Sequence, residues 1–320
     1  MQTARLAPSP TGALHLGNAR TFLVNWCLAR RHGWKIIFRI EDLDGPRIKQ
    51  GAAQQAIDDL RWLGLDWDEQ SQRQSDRARE YQHAIEQLLR SGHAYPCVCS
   101  RREVDQAASA PHAEDGASIY PGTCRGRFAS LEAARLAAGR EPAIRFRVPD
   151  DGSAVIVWND VFRGPQQIDS LTLGDFVIAR GDRSAAYQLA VVVDDAETQV
   201  TQIVRGDDLV DSTPRQILVY RALGLADRIP QYCHLPLVIG PDGRRLAKRH
   251  GDSRLSYYRS LGVPAERILS LLGKMCGIDG LGDATTAGEL LPQIRLEQIP
   301  RQPMVFTPEQ DAWLRAGRSG

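Results

Sequence analysis

The sequence predicts a doubly wound parallel α/β sheet, interrupted by a cysteine-containing α+β module and followed by a small helical region, and three observations carry that reading. Two short apolar runs, 3–7 and 35–40, flank an amphipathic run beginning near Leu16, which is a β–α–β opening. From about His93 the pattern turns irregular, rich in Pro, Gly and Ser, before strand-like runs return. Beyond residue 253 only short helical periods recur.

The elements follow in order. After the first strand Pro8, Pro10 and Gly12 force a turn, and Leu16, Ala19, Phe22, Leu23, Trp26 and Cys27 then recur at helical spacing until Gly33 stops them. Residues 50–63 (Ala53, Ala56, Ile57, Leu60, Leu63, ended by Gly64) and 78–89 (Tyr81, Ile85, Leu88, ended by Gly92) read as two more amphipathic helices. Residues 1–92 thus form the first half of a Rossmann-type domain. The segment 93–184, with β-like runs at 143–148, 154–158 and 175–179, reads as the inserted module. Runs at 189–194 and 201–204 are expected to be strands that resume the sheet, and 212–223 a helix with Pro214 near its start, so that 185–252 forms the second half. Helical pieces at 255–261, 264–273, 287–294 and 308–315 make up the region 253–320, where Thr307-Pro-Glu-Gln310 is a capping box. No internal repeat or low-complexity tract is visible.

Composition excludes several classes. With 320 residues, 42% hydrophobic and 25% charged, the chain is long enough for two or three packed units and shows no bias toward disorder. It has no apolar stretch of membrane-spanning length and no signal-peptide order at its start, so a cytoplasmic location and no membrane contact are expected. A formal charge of +1 means that any nucleic-acid contact must come from local patches. The expected oligomeric state is a monomer.

The turn into the first long helix is the leading candidate site. Backbone N–H groups at a helix start are unpaired and the dipole there favours anions, so His15, with Gly17 and Asn18, is placed to reach a triphosphate. The bland alternative is a helix-entry turn with a solvated histidine. In open α/β sheets ligands bind beyond the carboxyl ends of the strands, where residues 5–9 and Glu41 fall. Far along the chain a Gly- and Arg-rich loop, 240–251, carries Lys248, either to close over phosphates or as an ordinary solvated loop.

Six cysteines without an export signal argue for buried thiols or a metal site rather than disulfides. Cys27, Cys233 and Cys276 sit among apolar neighbours and read as core. Cys97, Cys99 and Cys124 supply three soft ligands, whereas a structural zinc wants four. His93, His112 and Tyr120 are the nearby candidates, and ordinary ligand preference favours a histidine. Three reduced thiols in a loop-rich insert are the alternative.

Arg5-x-Ala-Pro-Ser-Pro-Thr-Gly with His15-x-Gly-Asn18 resembles the signature of the glutamate-specific class I aminoacyl-tRNA synthetases, and Arg245-Leu-Ala-Lys-Arg249 stands where their lysine-bearing loop falls. Phe38-Arg-Ile-Glu-Asp-Leu-Asp44 and Val204-Arg-Gly-Asp-Asp-Leu209 resemble further blocks, so the similarity covers most of the chain. The sequence departs from the family pattern at Arg245, Ala247 and Arg249, which leaves Lys248 as the carried-over residue of that loop. The chain ends soon after the loop, as does a truncated branch of the family.

The resemblance implies ATP-dependent activation of L-glutamate, in which a carboxylate oxygen attacks the α-phosphate and the protein supplies alignment and charge stabilisation. It implies His15 and Lys248 as catalytic residues, His15, Gly17, Asn18 and Lys248 at ATP with its Mg²⁺, and Arg5, Leu6, Ala7, Pro8, Ser9, Glu41, Tyr187 and Arg205 at L-glutamate. Arg5 and Arg205 would pair with carboxylates, Glu41 would hold the α-ammonium, and Ser9 and Tyr187 would add hydroxyls. Taken singly, Arg205 with Asp207 reads as a local ion pair, Tyr187 as a strand aromatic and Glu41 as a solvated strand end. The truncated branch supplies Tyr120 as the fourth zinc ligand beside Cys97, Cys99 and Cys124. That branch transfers glutamate to queuosine at the wobble position of tRNA(Asp), so the anticodon stem-loop is the implied partner. Arg101, Arg102, Arg125, Arg127, Arg145 and Arg147 make the insert locally basic, either for phosphate contacts or as solvated surface. The rival functions are charging the 3′ end of tRNA(Glu), a small-molecule nucleotidyltransferase and a catalytically silent tRNA-binding module.

Overall fold

The computed structural model describes residues 1–43, 45–100, 102–104, 119–150, 155–244, 246 and 252–317. The strands are β1 (Thr3–Leu6), β2 (Lys35–Phe38), β3 (Glu69–Gln70), β4 (Ala94–Cys97), β5 (Ala143–Phe146), β6 (Val155–Asp160), β7 (Gly164–Asp169), β8 (Val177–Ala179), β9 (Gln202–Gly206), β10 (Gln231–Leu235), β11 (Val238–Ile239) and β12 (Met304–Val305). The α-helices are α1 (Leu16–His32), α2 (Ala52–Trp62), α3 (Ala78–Arg90), α4 (Leu131–Ala138), α5 (Tyr187–Glu197), α6 (Ser212–Ala222), α7 (Leu255–Ser260), α8 (Ala265–Met275), α9 (Ala287–Leu290) and α10 (Pro308–Ala316).

The main sheet runs β3-β2-β1-β9-β10-β6-β7, parallel except for the final β6–β7 hairpin. Strand order reverses at β1, whose neighbours are β2 on one side and β9 on the other, so the carboxyl ends of β1 and β9 flank a topological switch point. Pleating sends successive residues to opposite faces, and β9 shows it: Ile203 packs into one core with α3, α5 and α6, whereas Val204 packs into the other with α1 and α8. At the centre of the sheet both faces are therefore dry. α1 ends where the sequence predicts, at Gly33, whose φ of 64° suits a residue without Cβ.

Two expectations need correction. The run 189–194 is not a strand but the middle of helix α5. Leu189, Ala190, Val191, Val192, Asp194, Asp195 and Ala196 are all buried, because α5 is wedged between the sheet and helices α3 and α6. A helix covered on almost every side has no polar stripe, and its β-branched residues then imitate a strand. The segment 93–184 also divides between two sheets. β4, β5 and β8 form a separate antiparallel sheet, while the β6–β7 hairpin continues the main one through a Tyr232↔Asp160 pairing.

Beneath the carboxyl ends of the strands lies a buried charge network centred on α5. The Asp194 carboxylate accepts from Gln74 Nε2 at 2.7 Å, Arg77 Nε at 2.8 Å and the Tyr81 hydroxyl at 2.9 Å, with Arg39 Nε at 3.7 Å. Removing one member of such a network strands the remaining charges in a low dielectric. Asp194→Ala is expected to lower unfolding stability by about 3–5 kcal/mol, read as a shift of the urea midpoint at unchanged slope.

Candidate active site

The turn from β1 into α1 is built around one imidazole. His15 caps the helix, its Nδ1 accepting from the Gly17 N–H at 3.1 Å and the Asn18 N–H at 3.4 Å, while Asn18 Oδ1 accepts from the His15 N–H at 3.3 Å. An Nδ1 that accepts places the proton of the neutral ring on Nε2, leaving a donor there. Gly17 makes this possible: a Cβ would stand 3.0 Å from His15 Cε1 and 3.1 Å from Nδ1. The first-turn N–H groups expected to be bare are thus occupied, with the Leu16 N–H donating to the Ser253 carbonyl at 3.0 Å. Anion attraction at this turn then rests on the helix dipole and the Nε2 donor. The first turn of α1 carries no acidic side chain to oppose it.

The basic loop leaves and returns beside this turn. At its far end the Leu255 N–H donates to the Leu14 carbonyl at 2.8 Å, and His15 bridges to Arg254. At its near end Val238 of β11 would lie 3.6 Å from a Cβ on Gly17. Lys248 lies outside the described residues, as do Arg245, Ala247 and Arg249.

A cavity of about 720 Å³ opens at the switch point. His15, Gly17 and Asn18 line it together with Arg5, Ala7, Pro8, Ser9, Glu41, Tyr187 and Arg205. Leu6 does not: it is fully buried among core side chains, and its carbonyl accepts from the Arg39 N–H. Strand alternation explains the difference, because Ala4 and Leu6 face the α1 core and Arg5 the opposite side.

The charges in the cavity are held from below. Arg5 Nε lies 3.6 Å from Asp195 Oδ2, and the other Asp195 oxygen lies 2.6 Å from Arg39 Nη1. Arg39 also donates from Nη2 to Glu41 Oε1 at 2.9 Å. Burial pushes the Glu41 carboxyl above its ordinary pKa, against the pull of Arg39 and Arg5. With its side chain only 10% exposed, Glu41 is not a solvated strand end. Tyr187 opens helix α5 rather than lying in a strand, and burial raises its hydroxyl's pKa, so it stays neutral and can both donate and accept. Arg205 does not pair with Asp207, which meets Arg163 at 2.6 Å instead. Its guanidinium donates to His234, Gln216 and Thr213. Of five N–H groups, two remain, one on each terminal nitrogen, which is the fork that fits a carboxylate.

Several of these residues were not singled out from the sequence. Arg39 lay inside a quoted block and Asp194-Asp195 inside an apolar run, and an acidic pair at the end of such a run is the signal that could have found the two aspartates. Asp160 and His234 left no comparable trace.

In the insert, the sulfurs of Cys97, Cys99 and Cys124 lie within 4.8 Å of one another. Tyr120 Oη sits 3.4 Å from Cys97 Sγ and 3.5 Å from Cys99 Sγ, and Cys99 Sγ is 3.5 Å from Cys124 Sγ. Tetrahedral zinc with bonds of about 2.3 Å separates sulfurs by about 3.8 Å, a spacing between the 3.5 Å of Cys99 and Cys124 and the 4.8 Å that bounds the set, so these donors suit such an ion. His93 is exposed and turned to Ser91, and His112 lies outside the described residues. Arg145 stacks over the Tyr120 ring at 3.8 Å and reaches Cys97 Sγ at 3.3 Å, placing positive charge against the negative donor set. Arg125 is likewise engaged, with Asp175 and Asp150, whereas Arg102, Arg127 and Arg147 are exposed and Arg101 lies outside the described residues. No helix among the described residues is long and apolar enough to cross a membrane.

Residues 2–302 match the family described as tRNA synthetases class I (E and Q), catalytic domain. The chain is 46% identical to the glutamyl-Q tRNA(Asp) synthetase of Symbiobacterium thermophilum over 99% of both chains. It is 38% identical to the glutamate–tRNA ligase of Syntrophobacter fumaroxidans, covering 98% of this chain but 64% of that one. Among solved structures, the glutamate tRNA ligase of Elizabethkingia meningosepticum, in complex with its amino acid, superposes with a TM-score of 0.81 at 28% identity, over 98% of this chain and 68% of that one. The chain therefore belongs to the class I tRNA synthetases of the glutamate and glutamine type, and is a ligase of the aminoacyl-tRNA synthetase kind.

Proposed function

We propose that this chain activates L-glutamate with ATP and transfers it to the queuosine base at the wobble position of tRNA(Asp). The observation that carries the first half is the meeting of Arg5, Glu41, Tyr187 and Arg205 with the capped His15 in one cavity. The second half rests on relatives named glutamyl-Q tRNA(Asp) synthetase, which align along nearly their whole length at higher identity than the glutamate–tRNA ligases.

In this reading the two free Arg205 N–H groups hold one substrate carboxylate, Glu41 holds the ammonium, and the second carboxylate is left to attack the α-phosphate. The charge arithmetic favours an acidic amino acid, since a neutral side chain would leave a buried guanidinium unanswered. Attack needs no protein nucleophile; it needs alignment and stabilisation of the leaving pyrophosphate. His15 Nε2–H donates to phosphate oxygen from the helix entry, and Lys248 closes from the loop anchored beside it. Mg²⁺ accompanies ATP. Zinc held by Cys97, Cys99, Cys124 and Tyr120 ties β4 to the segment around Cys124 and orders the insert that meets the RNA, where the exposed Arg102, Arg127 and Arg147 contact phosphates.

Each part has a measurement. Glutamate-dependent exchange of pyrophosphate into ATP is expected, with Arg205→Ala raising the KM for glutamate at least roughly tenfold and Lys248→Ala lowering kcat by about 10²–10³ while glutamate binding is kept. Labelled glutamate should pass to tRNA(Asp) carrying queuosine and not to the same tRNA without it, and nuclease digestion should recover the label in the anticodon fragment. Label on the 3′-terminal adenosine would establish 3′ charging instead. Purified protein is expected to hold about one zinc per chain, falling on Cys97→Ser; near-zero zinc in the unsubstituted protein removes the metal.

A further inference from the structure

Arg205 is itself the end of a buried chain of hydrogen bonds. Asp160 closes β6 and turns both carboxylate oxygens inward. Oδ1 accepts from the backbone N–H of Phe162 at 3.0 Å, of Arg163 at 2.8 Å and of His234 at 3.2 Å, while Oδ2 lies 2.6 Å from His234 Nδ1. Across the ring, His234 Nε2 lies 2.9 Å from Arg205 Nε. Both Asp160 and His234 have fully buried side chains. We infer that Asp160 and His234 are positioning residues for substrate recognition: they fix the imidazole tautomer that accepts from Arg205 and so aim the guanidinium fork into the cavity.

The argument is one of donors and acceptors. A carboxylate can only accept, so the Asp160 contact places the proton on His234 Nδ1 and leaves a lone pair on Nε2. Arg205 Nε–H fills that lone pair. Burial, the largest influence on His234, holds its pKa below the ordinary value although Asp160 pulls the other way, so the ring stays neutral and keeps its lone pair. Thr213 Oγ1 at 2.8 Å and Gln216 Oε1 at 2.9 Å take one N–H from each terminal nitrogen, and Tyr232 lies under the guanidinium at 5.2 Å. Three anchors fix a planar group completely. The opposite tautomer would set Nε2–H against Nε–H, two donors face to face, and would turn the fork.

This inference rests on the reading that Arg205 binds a glutamate carboxylate, and the variants separate the two. Asp160→Asn keeps shape and one oxygen for the three backbone N–H groups, but its amide donates to His234 Nδ1 and drives the proton to Nε2. The expected result is a glutamate KM raised roughly 10–100-fold in pyrophosphate exchange, with the KM for ATP within about twofold and Tm within a few degrees. In a second pair, His234→Gln keeps an acceptor facing Arg205 and retains most glutamate affinity, whereas His234→Phe keeps a ring over Tyr232 without an acceptor and loses it. An unchanged glutamate KM in Asp160→Asn, or equal losses in Gln and Phe variants, overturns the inference. If Arg205→Ala leaves the glutamate KM unchanged, the reading beneath fails; if it raises the KM and Asp160→Asn does not, the inference alone fails. Should Asp160→Asn not fold, the two His234 variants decide.

Discussion

The constraint that organises this molecule is the need to keep guanidinium groups dry and still charged at the carboxyl ends of a parallel sheet. Arg5, Arg39 and Arg205 are each at most 5% exposed, where an isolated cation would cost several kcal/mol of desolvation. Each has an answer. Asp195 lies between Arg5 and Arg39, Asp194 sits behind Arg39, and Arg205 leans on a neutral imidazole backed by Asp160. The choice of a neutral partner for Arg205 matters, because a carboxylate in direct contact would satisfy the cation before any substrate arrived. Asp160 set one ring further away orders the arginine without neutralising it at the fork.

The same constraint explains what was legible in the sequence. Helices with one dry face and one wet face, such as α2 and α3, showed their period, and the ends of α1, α3 and α8 fell close to the expected positions. α5 did not, since a helix carrying a charge network in its interior must be covered on all sides. The strand β10 was overlooked for a related reason: Tyr232, Cys233 and His234 are all buried, so no alternation marks the run. Of the residues that line the cavity, those borne by local motifs were readable. Those that support them come from distant positions, Asp160 and His234 being 74 apart, and a pairing of that kind has no local signature.

The cysteine cluster was legible for three members because Cys97 and Cys99 stand one residue apart and Cys124 follows among glycines, a spacing that metal ligands use. For the fourth position of the proposed zinc set, ligand preference alone favours histidine. Geometry favours Tyr120: its hydroxyl accepts from the Cys124 N–H at 2.8 Å, which holds the oxygen beside the sulfurs, and the Arg145 guanidinium over its ring opposes the accumulating negative charge.

Asp160 joins these parts. It caps the turn of the β6–β7 hairpin through Phe162 and Arg163, receives the backbone of β10 at His234, and supports the ring behind Arg205. The hairpin is the portion of the 93–184 segment that continues the main sheet, so the edge of the sheet and the floor of the cavity share one carboxylate. Burying a carboxylate is costly unless its lone pairs are filled, and here four donors fill them. A misplaced hairpin would leave that charge unanswered in the interior, so one carboxylate ties the placement of the sheet edge to the orientation of the arginine.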